Sequence, residues 1–266
     1  NFSRNHGDLP PLTLQEGGVT LSVSGKIDRV DGYIRGNTLY LKVVDYKTGK
    51  KEFRLSDVLY GLNLQMFLYL MMLKQSGPAA LDSFSGCGGV QRTEPCGALY
   101  VPAKTPYLFR EPGETDEKFQ SRLDQELRRI GLVRDDGDLL EAMEHGGRFR
   151  FLPVSLKKDG SFGERSSLVS ALQLNGLLHK TEETLRRIAR QISAGDIEAD
   201  PYRINWKENA CKFCDFRAAC HFDTTMEKDC LRYLPKLEEK AVRELLEKEE
   251  EERLRRNGPE GEEEWL

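Results

Sequence analysis

Two segments near the start of the chain carry residues that could bind a metal ion together. The first segment ends in Asp28, and the second places Asp45 and Lys47 two positions apart. Side chains alternate along a strand, so Asp45 and Lys47 project from one face, and Asp28 at the end of a neighbouring strand can approach them. Two carboxylates suit Mg²⁺ or Mn²⁺, which supplies Lewis acidity and helps to generate hydroxide. The ammonium can orient that water or neutralise charge that develops on a phosphate.

The simpler interpretation of Asp45 and Lys47 is an exposed ion pair of little energetic consequence. Two features favour a site instead. The apolar pair Val43-Val44 leads straight into Asp45, and Asp28 lies one hairpin upstream. We therefore expect the carboxylates and the lysine to meet at the end of a buried strand.

Polar residues also interrupt the longest apolar run, residues 64–73. Gln65 and Tyr69 are four positions apart and fall on one face of a helix. If buried, they need polar partners, which a nucleotide or an active-site carboxylate would provide. The run has half of the roughly 20 residues of a membrane helix, so we predict a buried helix and no membrane span.

A cluster of cysteines near the C-terminus has the spacing of metal ligands. Cys211, Cys214 and Cys220 form C-x2-C-x5-C. Without a secretory signal, such a cluster favours metal binding over disulfides. A fourth ligand could come from Cys230, His221 or an upstream cysteine, giving a tetrahedral Zn²⁺ site or an iron-sulfur cluster. The scattered cysteines Cys87, Cys96 and Cys230 are otherwise interpreted as small or inert residues.

The elements that must position these residues can be predicted from hydrophobic periodicity. Residues 19–28 alternate as a strand, which we pair antiparallel with a strand over Thr38–Lys47 across a turn at 32–37. Apolar residues recur at helical spacing over 56–74, with Gly77-Pro78 as a stop.

The second half of the chain is predicted to be largely helical. We predict a loop over 83–97, a strand over 97–102, and helices over 116–130, 136–144 and 168–194. The last of these helices ends at Gly195, a typical residue after a helix C-terminus.

The charge of the chain is unevenly distributed. The 266 residues carry a formal net charge of -4, which alone argues against a nucleic-acid ligand. Residues 237–266 hold twelve Glu against six Lys and Arg, so the tail carries -6 and the remainder +2. The chain begins with Asn rather than Met, which predicts a piece of a longer protein.

In their order and spacing, these motifs resemble the C-terminal nuclease domain of the AddB component of bacterial AddAB helicase-nucleases, in the RecB-like branch of the PD-(D/E)XK nucleases. The motifs span nearly the whole chain: LPPL (9–12), GKIDRVD (25–31), VVDYKTG (43–49), LNLQMFLYL (62–70), GDIEADPYR (195–203) and ACKFCDFRAACHFD (210–223).

The resemblance implies an α/β fold, with a mixed central sheet flanked by helices, a C-terminal Cys-rich knuckle and a charged helical tail. We expect a nuclease domain over 1–236, with the acidic tail, helical and then disordered, over 237–266.

The resemblance also implies a role for each site residue. Asp28, Asp45 and the carbonyl of Tyr46 would hold Mg²⁺ or Mn²⁺, and Lys47 would be the catalytic lysine. The remaining motif residues, Gln65 and Tyr69, would lie near the scissile strand.

A [4Fe-4S] cluster is also implied by the resemblance, with Cys211, Cys214 and Cys220 as the last three ligands. The first cysteine of the family lies before the nuclease core and is expected outside this chain. An upstream acidic residue and a histidine of the family are expected there too, because Glu16 and His6 match no motif.

The implied function is a Mg²⁺-dependent DNA exonuclease domain that processes double-strand breaks for recombinational repair in the bacterial cytoplasm. DNA, an AddA-type helicase-nuclease subunit and the remainder of its own chain are the implied partners. No G-x-x-x-x-G-K-[ST] motif occurs, so we expect no helicase motor here.

Two alternatives remain open from the sequence. One is a non-catalytic DNA-binding scaffold in which the cysteines hold structural Zn²⁺. The other is a stand-alone CRISPR-associated iron-sulfur exonuclease, which the long insertion between 97 and 168 disfavours.

Overall fold

The computed structural model describes residues 9–85, 89–104, 106–147, 149–163, 166–223, 225 and 231–257. Within these residues the chain forms short strands and longer helices. The strands are β1 (Leu12–Glu16), β2 (Val19–Val23), β3 (Arg29–Arg35), β4 (Thr38–Lys47), β5 (Arg92–Pro102), β6 (Ile130–Arg134), β7 (Leu168–Val169), β8 (Tyr202–Arg203) and β9 (Arg232–Tyr233). The helices are α1 (Leu55–Leu59), α2 (Gln65–Ser85), α3 (Asp116–Glu126), α4 (Gly137–Met143), α5 (Ala171–Ser193), α6 (Arg217–Cys220) and α7 (Glu239–Asn257).

A five-stranded sheet forms the centre of the fold, in the order β3-β4-β5-β6-β7. Strand β4 pairs antiparallel with β3 and parallel with β5. Strand β6 pairs antiparallel with β5 and parallel with β7. Hairpin β1-β2 and the pair β8-β9 are separate sheets. The sheet is therefore mixed, as predicted.

Strand β4 is buried because helix α2 covers one of its faces. Leu39, Leu41 and Val43 alternate on that face and join the main core. From α2, Met66 and Phe67 pack into the same core, fully shielded from solvent. Burial of such side chains stabilises the fold by about 1.5–3 kcal/mol each. The rigid centre thus holds the end of β4, where Asp45 and Lys47 lie.

The predicted strand over 19–28 is wrong in its pairing. Its first half is β2, which pairs with β1, whereas β3 is the partner of β4. The turn predicted over 32–37 is mostly strand. Gly32 lies inside β3 because a Cβ there would approach Leu39 Cδ1 to 3.0 Å. The turn itself is Gly36 and Asn37, and Gly36 has a positive φ of 63°.

The helix predicted over 56–74 is two helices. Helix α1 ends at Leu59, and α2 begins at Gln65. Between them the backbone turns left-handed at Gly61 (φ 78°) and Asn63 (φ 54°). The predicted stop at 77–78 is a kink inside α2, where Gly77 leaves helical geometry.

The remaining predictions divide between confirmed helices and missed strands. Helices α4 and α5 are confirmed, and Gly195 has the left-handed φ of 69° expected after a helix end. The helix predicted over 116–130 ends at Glu126 and is followed by β6, which was not predicted. Strand β5 begins within the predicted loop, at Arg92, and residues 86–88 of that loop lie outside the described residues.

Helix α7 confirms the helix predicted in the acidic tail, and it packs on α5. Val242 and Leu246 of α7 are buried in the main core. The acidic run 249–252 was expected to be solvated, but Glu250 is 2% exposed. Residues 258–266 lie outside the described residues, and the domain boundary at 236/237 stays a prediction.

Gly176 lets α5 and α7 approach closely, and we predict that Gly176→Ala destabilises the protein. A Cβ at this position would lie 2.9 Å from the Leu246 carbonyl oxygen, so α7 would have to shift. Overpacking costs about 1–3 kcal/mol, which exceeds the roughly 1 kcal/mol that alanine gains in helix propensity. Urea unfolding of Gly137→Ala is the matched control, because a Cβ at that helical position meets nothing within 4 Å. Equal stability of the two variants would contradict the prediction.

Within the described residues, none of the helices combines the length and apolar character that a membrane crossing requires.

Candidate active site

Asp45 and Lys47 lie together at the end of β4, as predicted. Asp45 is 4% exposed, and its Oδ2 is 2.6 Å from Lys47 Nζ. The ammonium lies outside hydrogen-bonding geometry, so this buried Oδ2 has no hydrogen-bond partner among the described residues. The Lys47 side chain is one-third exposed. The pair therefore joins a buried carboxylate to a cation that reaches the surface.

Asp28 lies one residue before β3 and is fastened to the opposite strand. Its Oδ2 accepts a hydrogen bond of 3.0 Å from the backbone amide of Tyr46. Arg29 pairs with Val44 in the β3-β4 register, which brings Asp28 beside the end of β4. Asp28 is exposed at this edge of the sheet. The two predicted carboxylates thus meet, although the strand that brings Asp28 there is not the one predicted.

The first turn of α2 supplies the predicted amide and phenol. Gln65 Nε2 donates to Tyr69 Oη at 3.0 Å and lies 3.5 Å from Asp45 Oδ1. Lys47 Nζ lies 3.5 Å from Gln65 Oε1. Hydrogen bonds of this length are weak, and catalytic contacts often shorten when substrate binds. The amide of Gln65 therefore bridges the carboxylate, the lysine and Tyr69.

Sequence reasoning missed two residues of the site, Tyr100 and Lys51. Tyr100 of β5 is directly opposite Asp45 in the parallel register. Lys47 Nζ and Lys51 Nζ lie 5.7 and 5.0 Å from the centre of the Tyr100 ring. Burial, with the charge of Asp45 adding to it, raises the pKa of Tyr100 to about 12, so the phenol stays neutral. The basic run after Asp45 was the available signal for Lys51.

The donor set at this edge fits a hard divalent cation. It offers the unpartnered Oδ2 of Asp45 and the carboxylate of Asp28, with the Tyr46 carbonyl between them in sequence. Oxygen ligands of this kind suit Mg²⁺ and Mn²⁺, which keep several waters and also bind phosphate oxygens. The described part of the chain gathers no group of three or more His, Cys, Asp or Glu side chains for a metal. Water and substrate would therefore complete the coordination.

The residues considered for the upstream positions are not at this site. Glu16 is ion-paired with Arg186 and Arg190 of α5, at 3.1 and 2.7 Å. His6 lies outside the described residues.

The cysteine-bearing segment is compact but does not gather its thiols into a ligand set among the described residues. Cys211 is half-buried, and Cys214 and Cys220 are exposed. Phe213 and Phe216 are 86% and 76% exposed. The predicted fourth-ligand candidates Cys87 and Cys230 lie outside the described residues. The knuckle and its metal stay predictions.

Cys96 is buried in the sheet, which fits an inert thiol. Burial raises the pKa of Cys96 to about 12, so the thiol stays protonated. Only the thiolate is a strong nucleophile or metal ligand.

The fold and site define the class of protein. Residues 4–221 match the family model of the PD-(D/E)XK nuclease superfamily. The chain belongs to this superfamily.

Similar curated proteins narrow the comparison to one component of the ATP-dependent helicase/deoxyribonucleases, the one designated by the letter B. The chain is 30% identical over 250 residues to this component from Thermoanaerobacter sp. (strain X514), covering 93% of this chain and 21% of that protein. It is 32% identical over 254 residues to the corresponding protein of Acetivibrio thermocellus, covering 94% and 21%. The corresponding protein of Bacillus cereus (strain G9842) is 32% identical over 247 residues, covering 91% and 20%. The chain spans about a fifth of the length of these relatives.

Proposed function

We propose that this chain is a nuclease domain that hydrolyses DNA phosphodiester bonds with Mg²⁺ or Mn²⁺. One observation carries the proposal: Asp28 and Asp45 meet at the end of β4, with Lys47 2.6 Å from Asp45. Membership of the nuclease superfamily and relatives described as components of helicase/deoxyribonucleases support it.

Asp28, Asp45 and the Tyr46 carbonyl would hold the metal ion. When bound, the ion would supply Lewis acidity and lower the pKa of a coordinated water. Lys47 is held by Asp45 beneath the one-third exposed mouth of the site, where its ammonium can orient a water or neutralise charge on the scissile phosphate. Gln65 keeps the carboxylate and ammonium in register, and the neutral Tyr100 ring forms the wall behind them.

The wider setting follows from the relatives. The domain would act in a cytoplasmic bacterial helicase-nuclease that processes double-strand breaks for recombinational repair. Its partners would be DNA, an AddA-type helicase-nuclease subunit and the remainder of its own chain. Cys211, Cys214 and Cys220 would contribute three ligands to a [4Fe-4S] cluster, with the fourth cysteine outside these 266 residues.

Metal removal tests the proposal directly. We expect end-labelled single-stranded DNA to be cleaved in Mg²⁺ or Mn²⁺ and to stay intact in excess EDTA, with cleavage restored by added metal. Mn²⁺ affinity, measured by calorimetry without DNA, should fall by about tenfold or more in Asp28→Asn, as for loss of a charged ligand. Cleavage that persists in EDTA, or unchanged Mn²⁺ affinity, would refute the assignment.

A further inference from the structure

Lys51 is a cation without a charged partner at the edge of the candidate site. It is half-buried, and no described carboxylate lies within 4.0 Å of its ammonium. Lys47 has Asp45 at 2.6 Å, and Lys42 has Asp31 at 3.1 Å. Burial and the positive charge of Lys47 together lower the pKa of Lys51, against the weaker pull of Asp57 and Asp45. A buried charge is normally paired, so this exception calls for an explanation.

A neutral amide holds Lys51 in place. Lys51 Nζ donates to Asn63 Oδ1 at 2.5 Å, and Asn63 Nδ2 donates to Asp57 Oδ2 at 2.7 Å. The two partners fix the orientation of the amide, because only its oxygen can accept from an ammonium and only its nitrogen can donate to a carboxylate. Asp57 is buried and therefore cannot swing toward Lys51. The ammonium is positioned while its charge is left uncompensated.

The same support continues away from the site. Arg54 Nε lies 3.7 Å from Asp57, and Arg54 forms two hydrogen bonds with Glu208. Asn63 has a left-handed φ of 54°, a conformation that asparagine tolerates better than most residues. A conformation of this kind, held by neighbours on both sides, is typical of a functional constraint.

A polyanion in the site would supply the missing countercharge. Lys47 and Lys51 both lie within 6 Å of the centre of the Tyr100 ring, so they present two positive charges at one wall of the site. A DNA strand carries regularly spaced phosphates, and one bound at Lys47 presents its neighbour to the next cation. Asp45 already neutralises Lys47, so Lys51 is the group that gains most from a phosphate.

We infer that Lys51 binds the phosphate next to the scissile one and that Asn63 is its positioning residue. This inference rests on the proposed nuclease function. It assigns Lys51 to substrate binding rather than to bond cleavage, because the contact would exist equally in the ground state and in the transition state.

Kinetics of Lys51→Gln test the inference, with the chain in its full natural form and single-stranded DNA as the probe. We expect KM to rise by about tenfold to a hundredfold, as for loss of one charge-assisted hydrogen bond, with kcat little changed. In EDTA, the slope of log K for binding against log salt should become shallower by about 0.7. Lys51→Arg keeps the charge and should recover most of the affinity.

Lys50→Gln is the matched control, because it removes the same charge from the adjacent, exposed position. Identical KM and salt slope in Lys50→Gln and Lys51→Gln would overturn the inference. A fall in kcat at unchanged KM would also overturn it, because Lys51 would then act on the chemistry. Either result leaves the proposed function standing if Asp28→Asn still loses Mn²⁺ affinity.

Asn63→Gly tests the positioning role separately. Glycine adopts the left-handed backbone without strain, so this variant removes only the amide. We expect KM to rise less than in Lys51→Gln, and the double variant to match Lys51→Gln alone, since the two residues act through one contact. Additive effects of the two substitutions would refute the positioning role.

Discussion

Replacing Asp45 with asparagine is expected to lower the rate of DNA cleavage by about a thousandfold or more, which corresponds to about 4 kcal/mol of transition-state stabilisation. The substitution keeps the shape of the side chain but removes the charge that faces Lys47 at 2.6 Å. It also replaces one carboxylate of the proposed metal site by an amide, a poorer ligand for a hard divalent ion. Both losses act on the same step, so kcat should fall more than KM rises.

The measurement is single-turnover cleavage of labelled DNA in Mg²⁺, with the free energy of unfolding measured in parallel. Glu52→Gln is the control, because Glu52 is an exposed carboxylate only a few residues further along the chain. It should cleave at nearly the wild-type rate. Cleavage by folded Asp45→Asn at a rate within tenfold of the Glu52→Gln rate would place the active site elsewhere.

The position of Asp45 and Lys47 could be predicted because strand alternation is local. Two residues apart on one strand must share a face, whatever the strand pairs with. The apolar Val43-Val44 before Asp45 marked the strand as buried, and Val43 is fully buried in the core. This part of the site needed no knowledge of the fold.

Strand pairing was harder to predict because glycine has two uses. Gly32 was interpreted as part of a turn, but it lies inside β3 where Leu39 leaves no room for a Cβ. Gly36, four residues later, is the glycine that turns the chain, with its φ of 63°. The sequence does not distinguish a glycine required by a neighbour from one required by its own backbone. Asp28 still reaches Asp45, because the predicted and the observed pairing both place it at the open end of the hairpin.

The support of Lys51 could not be predicted, because it depends on contacts between separate elements. Asn63 lies in the linker between α1 and α2, and the uninterrupted helical pattern over 56–74 concealed that break. Gly61 was the available signal, since its left-handed φ of 78° ends helical geometry. The Arg54–Glu208 pair joins residues 154 positions apart and has no local signature.

The same contact ties the cysteine-bearing segment to the site. Glu208 lies three residues before Cys211, and Arg54 connects it to Asp57. Tyr60 adds a second tie, a hydrogen bond of 2.7 Å to the Pro235 carbonyl. Order in this segment and order around Lys51 are therefore physically linked.

Helix α5 supports the linker from the other side. A Cβ at Gly61 would lie 3.1 Å from Thr184 Cγ2, so α5 packs directly against the left-handed turn. Helix α7 in turn covers α5 through Leu246 and Glu250. The acidic helix, expected from its charge to be a solvated appendage, is thereby part of the support behind the site.

Glu250 carries the largest stability effect that we expect. Its carboxylate lies 2.5 Å from His179 Nδ1 and accepts two hydrogen bonds from Arg253. Burial alone would raise the pKa of Glu250, but the hydrogen bonds and charges of His179 and Arg253 outweigh it and lower the pKa from 4.5 to about 2. A difference of this size corresponds to about 3 kcal/mol of stabilisation by the ionised form.

We therefore predict that Glu250→Gln lowers the free energy of unfolding by about 3 kcal/mol at pH 7. The folded state holds the proton less tightly than the unfolded chain does. The contribution is thus complete above about pH 4.5 and is lost as the pH falls toward and through about 2. Urea unfolding between pH 7 and pH 3 should show the gap between wild type and variant closing in acid. Glu251→Gln, which removes an exposed ion pair with Arg255 in the same run, should cost less than about 1 kcal/mol at every pH. A gap that stays constant with pH would mean that packing, not the ionised carboxylate, holds α7 on α5.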